Sequence, residues 1–296
     1  MGGLARWIEL ITLGTAAALP SAERFTSSHL VRDWMGDAVL LDVGEGAQYR
    51  LKQAGVSPTK IDYILITHAH GDHVNGLLGL LQTMHLSGRR SKLTIAGPPS
   101  VADFVEPLVR GSEAAREFPI EVVRLGEPGE LVLRDAGRDQ VVLRWFRACH
   151  SVESYGYVIE WRLGPRVAKG LPADEARAAL QGQAEGLVVR PRPFRLAYTG
   201  DTAPCDEVVA AVQGANVLLH ESTFDSSLED EAREYGHSTS VGAATDAKRA
   251  GVGRLILTHV STRYEGYEAY ELEREARAVF PAAVLAWDLA RFSMRA

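Results

Sequence analysis

Thr67-His68-Ala69-His70-Gly71-Asp72-His73 places three imidazoles and one carboxylate within six residues, between one apolar run and the next. Neutral histidine nitrogens and a carboxylate oxygen suit Zn²⁺ or a similar borderline ion, and ligands so near in sequence converge at little loop-closure cost. The preceding Ile61-Asp62-Tyr63-Ile64-Leu65-Ile66-Thr67 is rich in β-branched and aromatic residues and about a strand long. His68 is therefore expected at the carboxyl end of a strand, with His70 pointing the same way. After the cluster, Val74 to Met84 reads as a helix, with Leu77, Leu80, Leu81 and Met84 at core spacing and Asp72 and His73 at its amino end.

Strand ends elsewhere supply further donors. Arg254-Leu255-Ile256-Leu257-Thr258-His259 nearly repeats Ile64-Leu65-Ile66-Thr67-His68, which suggests two αβ halves delivering ligands to one edge. Between them, Leu196 to Thr199 is a strand ending in the turn Gly200-Asp201, and Val141 to Ala148 is a strand leading to Cys149 and His150. Taken singly, Asp201 is a turn residue and His150 a core histidine. Beside the first cluster both become candidate ligands.

The order His-x-His-x-Asp-His, lone His, Thr-Gly-Asp, then His after an Ile-Leu-x-Thr strand resembles the metallo-β-lactamase superfamily. Further motifs narrow the resemblance to the ribonuclease Z family: Asp42-Val43-Gly44-Glu45-Gly46, Leu81-Gln82-Thr83-Met84, His150-Ser151-Val152-Glu153-Ser154-Tyr155-Gly156-Tyr157, His220-Glu221-Ser222-Thr223-Phe224, Gly236-His237-Ser238-Thr239 and Thr258-His259-Val260-Ser261-Thr262-Arg263-Tyr264. It runs from about residue 8 to residue 292. The resemblance implies an α/β fold, an αββα sandwich with two metals between the sheets. It puts His68, His70 and His150 on one ion, Asp72, His73 and His259 on the other, and Asp201 between them. Two Zn²⁺ per subunit are expected, with Mn²⁺ or another divalent ion as a substitute. Two dications, Asp72, Asp201 and a shared hydroxide leave one net positive charge, which suits a phosphodiester anion.

A phosphodiester's departing oxygen needs a proton. His237 is the candidate general acid, in the loop before the expected helix Val241 to Ala250, where Ser238 or Thr239 can cap. Glu221, after the strand Val217 to His220, is placed to hold that imidazole in its useful tautomer, whereas His220 reads as structural. Arg263 offers a planar fork for a phosphate. With Asp72, these three complete the expected catalytic set. His29 and His85 read as packing or surface residues.

Composition sets the remaining bounds. The chain has 296 residues, 46% hydrophobic and 24% charged, long enough for one large layered domain over 1–296 with no linker dividing it. Cys149 and Cys205 suggest no disulfide framework, and Cys149 reads as a small buried apolar residue. Trp7 to Thr15 lacks a basic start and contains Glu9, so it reads as a first strand. No apolar run is long enough for a membrane span, and a cytoplasmic location is expected.

The net charge of −6 excludes a surface uniformly coated for RNA. Residues 161–196 are different, with Arg162, Arg166, Lys169, Arg177, Arg190, Arg192 and Arg195 against Asp174, Glu175 and Glu185, a local net of +4. Their prolines and glycines suggest a protruding arm at about 162–195, with a short helix from Ala173 to Gln181. The family's arm grips the transfer-RNA body, often from the neighbouring subunit of a homodimer. The arm here is shorter and lacks the usual Gly-Pro-Leu tract, and Pro20 to Ser28 matches only loosely the family's Pro-x-x-x-Arg-Asn-x-x-Ser stretch. Arg190 and Arg192 are its candidate substrate contacts. The expected activity is zinc-dependent removal of the 3′ trailer from precursor transfer RNA by metal-hydroxide attack, leaving 3′-hydroxyl and 5′-phosphate ends. The alternatives are a broad-specificity phosphodiesterase on the same residues and a degenerate nucleic-acid-binding member.

Overall fold

A computed structural model describes residues 6–167, 172, 175, 178 and 188–296. Two seven-stranded sheets lie face to face. The first has the order β16-β1-β2-β3-β4-β5-β6, with β1 Trp7–Gly14, β2 Ser28–Asp33, β3 Ala38–Leu41, β4 Tyr63–Leu65, β5 Leu93–Gly97, β6 Ile120–Arg124 and β16 Ala290–Arg295. The second runs β15-β14-β13-β12-β9-β8-β7, with β7 Gly129–Asp135, β8 Gln140–Arg147, β9 Tyr155–Arg162, β12 Phe194–Tyr198, β13 Val217–Glu221, β14 Leu255–Thr258 and β15 Ala283–Leu285. β3 to β6 are mutually parallel, as are β12 to β15. Strands of this kind are covered on both faces, which is why β3, β5, β13 and β14 are largely apolar and buried throughout.

Three apolar layers hold the sandwich together. Between the sheets, Leu10, Val31 and Leu41 meet Leu143, Tyr157, Leu196, Leu219 and Ile256. On the outer face of the first sheet, helices Ala47–Gln53, Leu77–Leu86 and Pro99–Gly111 bury Leu51, Leu80, Leu81 and Val105. On the outer face of the second, helices Asp206–Ala211, Ser240–Ala250 and Ala269–Val279 bury Val208, Ala244 and Leu272. This is the expected αββα arrangement.

The helix expected from Val74 to Met84 is divided in two, Gly71–Val74 and Leu77–Leu86. Gly76 lies at the break, where its backbone presses on the preceding loop so closely that a Cβ would sit 2.0 Å from the Gly44 carbonyl oxygen. Asp72 and His73 thus occupy a separate single turn, whose direction the following helix does not dictate. Cys149 and Cys205 correct the cysteine reading: their sulfurs are bonded, joining the end of β8 to the loop after Asp201 across 56 residues. Neither cysteine is fully buried. Sequence spacing gives no sign that those two loops meet.

From β9 the chain leaves the second sheet through β10 Arg166–Val167 and returns through β11 Val188–Val189, which pair antiparallel. The helix expected over Ala173 to Gln181 lies outside the described residues. Among the described residues, no helix is long and apolar enough to cross a membrane.

Candidate metal centre

The parallel strands and β8 all point their carboxyl ends at one edge of the sandwich, the usual place for a site in such sheets. His68 follows β4 by a short extended segment, His150 follows β8, Asp201 follows β12, and His259 follows β14 directly. His70 precedes the Gly71–Val74 turn that carries Asp72 and His73. All seven expected ligands meet there.

Donor atoms of His68, His70, His150 and Asp201 lie within 4.8 Å of one another, as do those of Asp72, His73, Asp201 and His259. Asp201 belongs to both groups and divides its oxygens between them. Its Oδ2 is 3.6 Å from His68 Nε2 and 4.0 Å from His150 Nε2, while its Oδ1 is 3.3 Å from both His73 Nε2 and His259 Nε2. Asp72 Oδ2 lies 3.4 Å from His73 Nε2 and 3.2 Å from His259 Nε2, and the two imidazole nitrogens are 3.4 Å apart.

These spacings fit a divalent ion. Ligands about 2.0–2.1 Å from a tetrahedral centre are about 3.3–3.4 Å from one another, close to the separations in the second group. Orphaned atoms agree: His68 Nε2 and Asp201 Oδ1 are buried without a hydrogen-bond partner. The charge balance points the same way. Asp42, Asp72, Asp201 and Glu221 meet no Lys or Arg among the described residues, although buried carboxylates need a counter-charge. Burial opposes ionisation of Asp72, but His73 and His259 outweigh it and hold that carboxyl well below the usual range.

The far nitrogens of the ligands are fixed as well. His73 Nδ1 lies 2.7 Å from Asp42 Oδ2, and Asp42 also accepts from the Thr67 amide at 2.7 Å, the Thr67 hydroxyl and the Tyr198 hydroxyl at 2.8 Å. His150 Nδ1 lies 2.8 Å from the Gly236 carbonyl, and His259 Nδ1 is 2.9 Å from Thr223 Oγ1. Partners of this kind fix the tautomer that turns a lone pair toward an ion. Asp42 and His259 both have positive φ, 58° and 56°, directly after β3 and β14. An L-residue adopts that backbone only where its surroundings impose it. Sequence reading assigned no role to Asp42, Thr67, Tyr198 or Thr223; the Asp42-Val43-Gly44 and Glu221-Ser222-Thr223 motifs were the available signal.

His237 stands beside the cluster. Its ring stacks on His259 at 5.4 Å between centroids, and its Nδ1 is 2.9 Å from Glu221 Oε1. Burial disfavours a proton on His237, yet the carboxylate of Glu221 outweighs it and the pKa is pushed up to about 9. Thr239 caps the following helix by accepting from the Gly242 amide, and Ser238 donates to the Thr202 carbonyl instead. His220 is buried against its own strand and is remote from the donors in role, with Nδ1 2.7 Å from the Glu221 carbonyl.

A cavity of about 370 Å³ opens over the cluster, lined by His70, Asp72, His150, Asp201, His237 and His259, with Tyr235 and Arg263 at its rim. Arg263 pairs with Glu231 at 3.0 Å and lies over the Phe224 ring at 5.4 Å. Arg190 and Arg192 are exposed after β11 and are not among the residues lining this cavity.

Comparison with known proteins gives the family and the fold. The beta-lactamase superfamily domain matches residues 37–260. Ribonuclease Z of Aeropyrum pernix is 42% identical over 305 residues, covering 97% of this chain and 98% of that one. Ribonuclease BN of Escherichia coli is 37% identical over 310 residues, 97% of this chain and 100% of that one. Among solved structures, the short form of human tRNase Z has a TM-score of 0.69 at 27% identity, covering 96% of this chain and 98% of that one. The fold is shared with YhfI of Bacillus subtilis, at a TM-score of 0.74 and 20% identity over 98% of this chain and 100% of that one.

Fold and cluster together define a hydrolase of the metallo-β-lactamase class that depends on a divalent metal. Within that class, the chain belongs to the ribonuclease Z family and is a metal-dependent phosphodiester hydrolase.

Proposed function

We propose that the chain is a zinc-dependent endoribonuclease that removes the 3′ trailer of precursor transfer RNA, leaving a 3′-hydroxyl on the transfer RNA and a 5′-phosphate on the trailer. The observation that carries this reading is the division of the Asp201 oxygens between two groups of donors, with His237 and its partner Glu221 alongside. In this reading His68, His70 and His150 hold one ion, Asp72, His73 and His259 the other, and Asp201 both. Two such ions, when bound, acidify water and offset the charge of the phosphodiester.

The chain's own residues do the rest. His237 keeps Nδ1–H on Glu221 and carries its second proton on Nε2, which passes to the 3′-oxygen as the phosphorus–oxygen bond breaks and water oxygen joins phosphorus. The Glu221 carboxylate holds the ring's orientation and favours the charged form that donates. Arg263 contributes a phosphate contact at the rim, and Glu231 holds its guanidinium there. Arg190 and Arg192 grip the RNA away from the reacting bond, in a homodimer whose arms reach the substrate. The printed names of the relatives, ribonucleases and a tRNase, support the substrate class.

The short arm favours a second reading, a broad-specificity phosphodiesterase using the same residues. Purified protein loaded with Zn²⁺ decides between them. Cleavage of a folded precursor transfer RNA at one position, far faster than hydrolysis of a bis-aryl phosphate, is the expected result. Cleavage at scattered positions, or faster turnover of the small diester, overturns the transfer-RNA assignment. Metal analysis of the same sample identifies the ions.

A further inference from the structure

Thr223 lies two residues beyond the end of β13 and is almost wholly buried, 4% exposed. Its Oγ1 has three polar neighbours: Glu221 Oε2 at 2.7 Å, His259 Nδ1 at 2.9 Å and His237 Nδ1 at 3.4 Å. A hydroxyl has one proton to give, so the directions of these bonds follow by elimination. In the two-ion reading His259 would offer its Nε2 lone pair to the ion held with Asp72 and Asp201, which would leave its ring hydrogen on Nδ1. Nδ1–H therefore donates to Thr223, and the Thr223 hydroxyl donates to Glu221, which as a carboxylate only accepts. Glu221 Oε1 accepts from the Thr202 amide at 3.0 Å and from His237 Nδ1–H at 2.9 Å.

The geometry points to Thr223 as a positioning residue that ties the ligand His259 to the His237–Glu221 pair, so that one carboxylate orients both imidazoles. Nothing else among the named contacts of His259 Nδ1 can take its hydrogen. Among the described residues, no other group that both accepts and donates joins the two rings. The inference rests on the reading of the cluster as a two-ion site, and it assigns Thr223 to the Asp72, His73 and His259 half alone. His150 Nδ1 is held by the Gly236 carbonyl and His68 Nδ1 lies 3.0 Å from Thr67 Oγ1, so the other half is independent of Thr223.

The test is competition for Zn²⁺ between the metal-free chain and a chromophoric chelator, for the parent, Thr223→Val, Thr223→Ser, Glu221→Gln and the Thr223→Val/Glu221→Gln double variant. Thr223→Val should weaken one of two bound ions by about 10–100-fold, the usual loss when a ligand's hydrogen-bond partner is removed, and leave the other unchanged. Thr223→Ser restores the hydroxyl and should bind both ions within about threefold of the parent, a result that also guards against a fold defect in the valine variant. Glu221→Gln and Thr223→Val interrupt one chain, so the double variant should be no weaker than the more affected single one. Two ions bound by Thr223→Val at parental affinity, a serine variant as impaired as valine, or losses that add in the double variant each overturn the coupling alone. A parent that binds fewer than two ions overturns the two-ion reading and the coupling with it.

Discussion

Asp42 Oδ2 lies 2.7 Å from His73 Nδ1, and both side chains are fully buried. Three further groups donate to the same carboxylate: the Thr67 amide, the Thr67 hydroxyl and the Tyr198 hydroxyl. All demand an acceptor. Asn at this position tolerates positive φ but turns an NH₂ toward at least one donor. Asp42→Asn should therefore lower affinity for one ion by about 10–100-fold and destabilise the fold by about 1–3 kcal/mol. Chelator competition and urea unfolding measure the two effects; an unchanged affinity would separate Asp42 from the site.

Asp201 is the residue that both halves of the cluster share. Asp201→Ala removes its two oxygens and leaves His68, His73 and His259 facing a gap. Metal content should drop well below that of the parent, and turnover of any diester should become negligible. Elemental analysis after gel filtration, with a turnover assay on the same fraction, checks this. Two tightly held ions and normal turnover in the variant would remove Asp201 from its bridging role.

His237 touches the cluster without contributing to either four-residue group that holds Asp201. His237→Ala should keep the parental metal content and lose about 10²–10⁴ in turnover, the range for a missing general acid. Loss of metal together with activity would make His237 a ligand instead.

His29 is fully buried, with neither ring nitrogen hydrogen-bonded. Burial first, then the neighbouring His73 and His259, pull its pKa down to about 3. The unfolded chain binds this proton near pH 6.5, whereas the folded chain refuses it until about pH 3. Stability from His29 is thus complete above pH 6.5 and falls as the pH drops toward 3, by on the order of 5 kcal/mol over that window. His29→Leu should flatten the fall in unfolding free energy between about pH 6.5 and 5 relative to the parent. Parallel pH profiles for parent and variant would show that His29 titrates as it does in water.

The Cys149–Cys205 bond closes a loop across a separation of 56 residues, which carries β9, β10, β11, β12 and Asp201. A cross-link of that span restricts the unfolded chain by up to about 4 kcal/mol. Reduction, or replacement of both cysteines by serine, should lower the unfolding midpoint while leaving metal content intact, since neither sulfur belongs to the two histidine clusters that share Asp201. Thermal unfolding with and without reductant measures the shift, and equal midpoints would show that the bond contributes nothing.

The candidate ligands were legible because the chain brings four of them together in His68 to His73 and sets the others after apolar runs that read as strands. A strand fixes where its last residue emerges, so a motif at its end already carries a direction. The sandwich was expected from the resemblance of the motif order to the metallo-β-lactamase superfamily, and the two sheets with helices outside agree with it. The supporting contacts were not legible. Asp42 reaches His73 only because its backbone takes positive φ after β3, Thr223 meets His259 from the neighbouring strand, and Cys149 finds Cys205 across 56 residues. Sequence determined which side chains are candidates for the chemistry, through motif spacing and the family resemblance. Tertiary structure alone decided which hydrogen bond holds each of them, because those partners are adjacent through strand pairing and loop packing and are distant along the chain.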